Sequence, residues 1–254
     1  PSLLDFGMRV LGVIPARLGS TRLLNKPLQL LAGEPLVTRV VERVAAYDLV
    51  DRLVVATDSP MVVQVVERTG VSAVLTDDSH STGTERVAEV ASRPEYRDFD
   101  VVVNIQGDEP FLDREALEGS LARVAQGDEV GTAAAPLDLD LVKDPARVKV
   151  VTDLNGRALY FSRSVIPYRR EADDPSEGLY WQHLGIYAYT RASLTRWVSL
   201  PPTPAELVER LEQLRALQHG MTIGVTRLSA SALPGVDTPD DLKRAEAHWH
   251  ALLR

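Results

Sequence analysis

The sequence predicts an α/β protein with a mostly parallel central sheet, helices on both faces and a smaller inserted β subregion in its second half. In the first half of the 254 residues, short β-branched runs alternate with segments of helical periodicity, which is typical of parallel strands covered by helices. Polar clusters follow three of the apolar runs. Because ligands of open parallel sheets bind beyond the carboxyl ends of the strands, the pattern also predicts where a ligand site lies.

The first half of the chain alternates strand and helix four times. Apolar runs predict strands at 10–14, 53–58, 71–76 and 101–106, and helical spacing predicts helices at 35–47, 61–68, 84–92 and 114–125. The three polar clusters are a basic loop after the first strand, the pair Thr57-Asp58, and the segment 106–110. We expect all three at the ligand-binding ends of their strands.

The second half is less regular. Residues 148–152, 157–161 and 183–189 are predicted strands, and the polar segment 171–177 is expected to form a mobile surface loop. Thr203 and Thr238 are each followed by proline and, three residues on, by an acid, so each is predicted to cap a helix. No repeat or linker divides the chain. We therefore expect one domain, with halves at about 9–136 and 148–230 and a C-terminal helical segment at 235–254.

Composition excludes several classes of protein. A net charge of −8 argues against a nucleic-acid-binding surface, and the lack of cysteine excludes disulfides, thiolate catalysis and cysteine-ligated metals. No run of 18 apolar residues and no secretory signal pattern is present, so we expect no membrane contact and a cytoplasmic location.

The loop after the first strand is basic in an otherwise acidic chain. Arg17, Arg22 and Lys26 are separated by small residues that include Gly19 and Ser20, so backbone N–H groups can reach a ligand together with the cations. This arrangement predicts a polyanion site, with a triphosphate as the leading candidate. A solvated loop that is basic by chance is the alternative.

Two carboxylates are candidate magnesium ligands. Asp108 follows a buried strand within Gln106-Gly-Asp-Glu-Pro110, where Gly107 would let the backbone approach a ligand, and Asp237 lies just before a predicted helix. Mg²⁺ takes one or two protein carboxylates and completes its shell with phosphate and water. Asp108 is preferred over Glu109 because its shorter side chain is fixed more rigidly. A turn closed by acids and ordinary helix-start electrostatics are the alternatives.

The remaining candidates are weaker. Arg86, in the first turn of a helix, is unfavourable for the helix dipole and is expected to point at a negative group, with a solvent-facing arginine as the alternative. His183 and Tyr187 share strand parity and project to the same side, but spacing alone does not make them a site. Arg163 and the pair Glu212-Gln213, expected on the helix that Thr203 caps, are equally open.

Taken together, these blocks resemble the 3-deoxy-D-manno-octulosonate (Kdo) cytidylyltransferases, also called CMP-Kdo synthetases. The resemblance runs from about Arg9 to Arg244, and the first block and the Gln-Gly-Asp segment are shared with other sugar nucleotidyltransferases. The matching blocks are residues 14–23, 26–28, 55–58, 80–86, 104–110, 148–151, 158–163, 166–167, 183–187, 212–215 and 235–239.

The resemblance implies a nucleotide-diphospho-sugar transferase-like fold and a reaction. In it, the anomeric hydroxyl of Kdo attacks the α-phosphorus of CTP and releases pyrophosphate with the help of Mg²⁺, in a protein that is usually a homodimer. The catalytic residues that the resemblance implies are Arg17, Lys26, Asp108 and Asp237. The two aspartates are also the implied metal ligands. Its implied nucleotide site comprises Arg17, Ser20, Arg22, Lys26, Arg86 and Gln106. Its implied sugar site comprises Arg163, His183, Tyr187, Glu212 and Gln213, with Arg163 or His183 near the sugar carboxylate.

The chain departs from the family pattern at three places. Leu24-Asn25 replaces Pro-Gly, although asparagine tolerates a positive φ and can preserve the turn. Gln182 stands where enterobacterial members have arginine, and Asp144-Pro-Ala-Arg147 lacks a common asparagine. The same chemistry on 8-amino-Kdo or another ulosonic acid therefore remains an alternative, as does a non-catalytic nucleotide-binding homologue. A nicotinamide dehydrogenase is disfavoured because no Gly-x-Gly-x-x-Gly turn follows the first strand.

Overall fold

A computed structural model describes residues 7–19, 22–171 and 173–252, and the chain divides into two compact units. The first unit comprises Met8–Asp113 and the C-terminal segment from Leu233, and the second comprises Arg114–Ala232. Each unit is built around its own set of strands. Within the described ranges, no helix is long and apolar enough to cross a membrane.

The helices and strands alternate through most of the chain. The strands are β1 (Val10–Pro15), β2 (Leu30–Leu31), β3 (Glu34–Pro35), β4 (Arg52–Thr57), β5 (Ser72–Leu75), β6 (Val101–Asn104), β7 (Val130–Pro136), β8 (Lys149–Thr152), β9 (Ala158–Ser162), β10 (Trp181–Thr190) and β11 (Ile223–Arg227). The helices are α1 (Leu36–Ala45), α2 (Pro60–Glu67), α3 (Gly83–Ser92), α4 (Arg114–Ala125), α5 (Arg191–Ser199), α6 (Pro204–Glu209), α7 (Gln213–Gln218) and α8 (Pro239–Leu252). For the strands and helices expected between residues 10 and 189, the bounds differ from the expectation by at most two residues.

The first unit contains a parallel sheet of the predicted kind. Its strands lie in the order β6-β1-β4-β5, and β1 pairs in parallel with both β6 and β4. Val10 to Ile14 are all buried, as expected for a strand covered on both faces, and α3 packs on β1, β4 and β6. The fold class expected from the sequence is confirmed.

In the second unit, the strands are mostly antiparallel. β10 pairs antiparallel with β7 and β8, β8 pairs antiparallel with β9, and β11 pairs in parallel with β7. The three strands expected in this region, β8, β9 and β10, are confirmed. The segment 171–177, described except for residue 172, contains no helix or strand.

Two strands of the second unit, β7 and β11, are not predicted by the sequence pattern. β7 reads Val-Gly-Thr-Ala-Ala-Ala-Pro, a composition poor in β-formers. The structure explains it, because a Cβ on Gly131 would lie only 1.9 Å from the carbonyl oxygen of Ser120 in α4. Helix α4 packs so closely on β7 that position 131 has room only for glycine.

Helix α8 brings the C-terminal segment onto the core of the first unit. Thr238 and Asp241 cap its start reciprocally: the Asp241 N–H donates to the Thr238 hydroxyl, and the Asp241 carboxylate accepts from the Thr238 N–H at 2.9 Å. Val236, just before α8, and Ala245 within α8 are buried in one cluster with Leu31. This packing fixes the position of Asp237, which follows Val236 directly.

The expectation that Glu212 and Gln213 lie on the helix capped by Thr203 is wrong. That helix, α6, ends at Glu209, and Arg210 adopts a left-handed conformation with φ 55°. Glu212 is instead the N-cap residue of the separate helix α7. A one-residue reversal of the backbone, which helical periodicity does not reveal, divides the two helices.

Candidate active site

The basic loop is fastened to the end of the neighbouring strand β4. The N–H of Leu18 donates to Asp58 Oδ1 at 3.1 Å, and the Thr57 hydroxyl donates to the carbonyl oxygen of Ala16 at 2.6 Å. Arg17 is exposed between these anchors, and no described residue pairs with its guanidinium. The loop therefore presents a fixed backbone and an available cation. Ser20, expected to bind the nucleotide, lies outside the described residues.

Asn25 adopts the left-handed conformation that the family's glycine would provide. Its φ and ψ are 51° and 39°, and it precedes a short 3₁₀ turn at Lys26–Leu28. Asparagine accepts this region more readily than other residues with a Cβ. The expectation that the turn survives the replacement is confirmed.

Lys26 lies between two carboxylates. Its ammonium donates to Asp108 Oδ2 in a short contact and to Asp237 Oδ1 at 2.9 Å, while Arg22 Nη2 lies 3.1 Å from the same Asp237 oxygen. Desolvation lowers the pKa of Lys26, but the charges and hydrogen bonds of Asp108 and Asp237 outweigh it and raise the pKa above its usual value. The lysine is therefore a permanent cation.

The carboxyl end of β6 supplies one of these carboxylates. The carbonyl oxygen of Asp108 accepts from the N–H of Val236 at 2.8 Å, which ties this turn to the segment carrying Asp237. Gly107 lies close to the end of β1, where a Cβ would be only 2.8 Å from the carbonyl oxygen of Pro15. Gly107 therefore allows β1 and the turn after β6 to pack closely, and its expected role in ligand approach stays a prediction.

The neighbouring Glu109 is held largely as the neutral acid. Burial, together with the Asp108 and Asp237 carboxylates, raises its pKa to about 8. It therefore adds little negative charge at neutral pH, which agrees with the preference for Asp108 as a ligand.

The two aspartates have the chemistry of a magnesium site. Their carboxylate oxygens converge on a single cation, the Lys26 ammonium, and carboxylate oxygens are the protein ligands that Mg²⁺ prefers. Across the described ranges, no three His, Asp or Glu side chains are grouped so as to enclose a metal. Two carboxylates completed by phosphate and water are the appropriate donor set for this ion.

Arg86 points at a negative group, as expected, and that group belongs to the protein. Its Nη2 lies 3.3 Å from Asp58 Oδ2, its Nη1 donates to the Thr76 hydroxyl, and its side chain is 2% exposed. Because Asp58 also holds the N–H of Leu18, Arg86 supports the basic loop through that carboxylate. Its contact with the nucleotide stays a prediction, as does that of Gln106, whose amide donates to Asn104 at 3.2 Å.

Replacing Arg86 with methionine is expected to lower the free energy of unfolding by about 3 kcal/mol, because it leaves Asp58 without its buried partner. Urea denaturation measures this change. Arg97→Met, an exposed control in the same unit, should shift it by no more than about 0.5 kcal/mol. Equal small shifts in the two variants would show that the buried pair does not support the fold.

Four of the five residues expected to form the sugar site lie on β10, on α7 and at the N-cap of α7. The rings of His183 and Tyr187 lie 5.4 Å apart, Tyr187 packs edge-on against Trp197 at 5.8 Å, and the Trp197 indole donates to Glu212 Oε1 at 3.1 Å. Gln213, next along the chain, is buried. The shared parity of His183 and Tyr187 is confirmed, and Trp197 connects them to α7.

Arg163, which follows β9, is held by backbone carbonyls. Its Nε donates to the carbonyl oxygen of Glu209 at 2.8 Å and its Nη1 to that of Pro145 at 2.9 Å, while its own carbonyl accepts from Lys149 Nζ at 2.6 Å. No described carboxylate forms an ion pair with this guanidinium. The arginine is thus oriented while its charge remains available to an anion.

Sequence reasoning missed the supports of Arg163. Lys149 is 0% exposed within β8, and burial lowers the pKa of its ammonium. Glu209 accepts from the Ser162 hydroxyl at 2.5 Å and from the Arg163 N–H at 2.9 Å. The lysine at an apolar strand position was a visible signal. Glu209 could not be found from sequence, because it depends on the placement of α6.

His183 is neutral, because burial lowers its pKa to about 3. It therefore offers no positive charge to a sugar carboxylate. Of the two residues that the resemblance implies near that carboxylate, Arg163 is the one that carries a charge, and its contact with the sugar stays a prediction.

The neutral burial of His183 makes stability depend on pH. The unfolded histidine titrates near 6.5 and the folded one near 3, so the unfolded state binds more protons between these values and stability falls as the pH decreases. Between pH 7 and pH 5 this titration lowers the free energy of unfolding of the wild type by about 2 kcal/mol. We expect His183→Asn to lack this part of the pH-dependent loss. Urea unfolding at the two pH values measures this difference, and equal pH losses in both proteins would contradict a neutral His183.

Comparison with known proteins agrees with this geometry. The profile of the cytidylyltransferase family matches residues 11–223. A 3-deoxy-manno-octulosonate cytidylyltransferase of Gemmatimonas aurantiaca is 53% identical over 96% of each chain, and one of Methylococcus capsulatus is 46% identical over 93% of this chain and 95% of its own. A solved structure of CMP:2-keto-3-deoxy-manno-octonic acid synthetase complexed with CTP superposes with a TM-score of 0.89 at 38% identity, covering 96% of this chain and 99% of the other.

The fold and the match to the cytidylyltransferase family define a nucleotidyltransferase. The chain belongs to the cytidylyltransferase family, among the 3-deoxy-manno-octulosonate cytidylyltransferases. The resemblance identified from the sequence is confirmed.

Proposed function

We propose that this enzyme transfers CMP from CTP to the anomeric hydroxyl of Kdo, releasing pyrophosphate and activating the sugar for lipopolysaccharide synthesis. The observation that carries the proposal is the position of Lys26 between Asp108 and Asp237 beside an exposed Arg17, within a chain 53% identical to a named Kdo cytidylyltransferase. Lipopolysaccharide synthesis follows from the use of CMP-Kdo, and a cytoplasmic location from the use of CTP.

The transfer needs no protein nucleophile. The anomeric oxygen forms a bond to the α-phosphorus, the bond from that phosphorus to the bridging oxygen of pyrophosphate breaks, and the hydroxyl proton passes to solvent. Arg17, Arg22 and Lys26 bind the triphosphate and stabilise the charge that develops on pyrophosphate. Arg163 binds the sugar carboxylate, so the reaction depends on positioning and charge stabilisation.

Magnesium is part of this proposal, and Asp108 and Asp237 are the residues that would hold it. Bound there, Mg²⁺ would neutralise phosphate charge and lower the pKa of the attacking hydroxyl. Lys26 remains a cation beside the same carboxylates, where it binds a phosphate oxygen of the substrate.

Pyrophosphate release from CTP tests the substrate assignment. Kdo, 8-amino-Kdo and a nine-carbon ulosonic acid are supplied in turn, with UTP in place of CTP as the nucleotide control. We expect the largest kcat/KM with CTP and Kdo. Turnover with another acid but not with Kdo would correct the sugar and keep the chemistry, whereas no turnover with any acid would support a non-catalytic homologue.

We further propose that the protein is a homodimer that associates through its second unit. Exposed apolar side chains lie on β9 and α6: Leu159 is 61% exposed, Leu207 53% and Val208 84%. Contiguous exposed apolar patches mark protein interfaces, and we propose that these side chains belong to such a patch.

Light scattering is expected to give twice the 27.9 kDa of the chain, and Val208→Asp is expected to shift the protein toward monomer. Leu75→Asp, at an exposed position of the first unit, is the control and should not change the mass. A wild-type monomer would contradict the dimer, and a dimer unaffected by Val208→Asp would move the interface elsewhere.

A further inference from the structure

The Thr132 hydroxyl lies at an irregular point of the second unit's sheet. The pairing of β10 with β7 shifts register between Leu184 and Tyr187, and Thr132 stands opposite this shift. Its Oγ1 is 2.7 Å from the carbonyl oxygen of Ile186, 3.3 Å from that of Leu184 and 3.0 Å from Nε2 of His183. The threonine is 0% exposed, so these contacts are protected from water.

Counting protons assigns the direction of each hydrogen bond. A hydroxyl has one proton, and a carbonyl oxygen can only accept. The shortest contact, to Ile186, takes the Thr132 proton, and the oxygen of Thr132 then accepts from an N–H at His183 Nε2. The opposite assignment would direct the only proton to the ring and give up the hydrogen bond to Ile186, the shortest of the three contacts, at a cost of about 1–3 kcal/mol.

The tautomer of His183 determines what its other nitrogen can bind. In a neutral imidazole with the proton on Nε2, Nδ1 is a pure acceptor. The ring is fixed by Phe161, edge-on at 4.9 Å, and by Tyr187 at 5.4 Å. No described residue hydrogen-bonds to Nδ1, so this atom is available to a donor. A carboxylate cannot donate, whereas a sugar hydroxyl can.

We propose that Thr132 is a positioning residue that holds His183 as the Nε2–H tautomer, so that Nδ1 accepts a hydrogen bond from a hydroxyl group of the bound sugar. The inference rests on the proposed function and on the expectation that His183 belongs to the sugar site. It divides recognition between two residues: Arg163 binds the carboxylate and His183 selects a hydroxyl. Thr132 acts only through the histidine ring.

The tautomer can be observed without substrate. Long-range proton–nitrogen correlation spectra of the nitrogen-15-labelled protein distinguish the two neutral forms, and His183→Asn assigns the signal among the five histidines. We expect the Nε2–H pattern in the wild type and in Thr132→Ser, which keeps the hydroxyl, and loss of a single fixed tautomer in Thr132→Val. An Nδ1–H pattern in the wild type would overturn the proposal, whatever sugar the enzyme uses.

Kinetics tests the acceptor role. The Asn side chain places an oxygen near the Nδ1 position and the Gln side chain near Nε2, so we expect KM for the sugar to rise about tenfold more in His183→Gln than in His183→Asn. Thr132→Val should raise the same KM with little effect on KM for CTP, and Thr132→Ser should restore it.

The matched control is Thr226→Val, whose hydroxyl donates to Gly119 in the same unit at 2.9 Å without touching His183; it should leave KM for the sugar unchanged. Equal rises in the two His183 variants would overturn the acceptor role. Turnover only with a different ulosonic acid would correct the proposed substrate, and the variants would then be compared with that acid.

Discussion

Asp108→Asn is expected to retain the fold and lose about 99% or more of kcat. The change removes one negative charge and keeps the shape of the side chain, and the new amide oxygen can still accept from Lys26, which also keeps Asp237 at 2.9 Å. Ligands and dipoles that meet charge developing in a transition state contribute roughly 100-fold or more to kcat. The loss should therefore appear in kcat at saturating CTP and sugar, and circular dichroism should show an unchanged fold.

The control for this variant is Asp240→Asn in the first turn of α8. Asp240 is near Asp237 in the chain, is 75% exposed and pairs only with Lys243 at 3.2 Å among the described residues. Its replacement should leave kcat and the magnesium dependence of the rate unchanged. If Asp108→Asn also kept the wild-type magnesium-dependent rate, Asp108 would not be a metal ligand.

Arg163→Gln is expected to raise KM for the sugar roughly 10- to 100-fold and to leave KM for CTP within about threefold of the wild type. A hydrogen bond to a charged group contributes about 1.5–3 kcal/mol, which corresponds to this range. The guanidinium is oriented by the carbonyls of Pro145 and Glu209 and has no described carboxylate partner, so a sugar carboxylate would be its main counter-charge. Steady-state kinetics with each substrate varied in turn measures the two constants.

Arg170→Gln provides the comparison, because this arginine belongs to the same unit and its side chain is 89% exposed. It should change neither KM. A parallel rise of both constants in Arg163→Gln would indicate general distortion of the unit, and an unchanged KM for the sugar would remove Arg163 from the sugar site.

The parallel sheet of the first unit could be predicted because its signals are local. Val10 to Ile14 form an apolar run that ends at a proline, and the cap of α8 is encoded in the four consecutive residues 238–241. The left-handed turn at Asn25 was also predictable, since few side chains accept that conformation. These features depend little on distant parts of the chain.

The features that escaped prediction depend on long-range packing. β7 carries a glycine at position 131 because α4 packs closely against it, and the break between α6 and α7 depends on the single residue Arg210. Lys26 contacts Asp108, which is 82 positions away in the chain, and Asp237, which is 211 positions away. The sequence could therefore suggest the members of this cluster but not its geometry. The role of Glu209 beneath Arg163 arises only when α6 is in place.

Phosphorus NMR of the complete reaction tests the central claim most directly. Purified protein is incubated with CTP, Kdo and Mg²⁺, and the phosphorus signals are followed as CTP is consumed. We predict one equivalent of pyrophosphate and one of a CMP phosphodiester for each CTP lost, both dependent on Kdo. CDP and inorganic phosphate, or pyrophosphate formed without Kdo, would contradict transfer of CMP to the sugar.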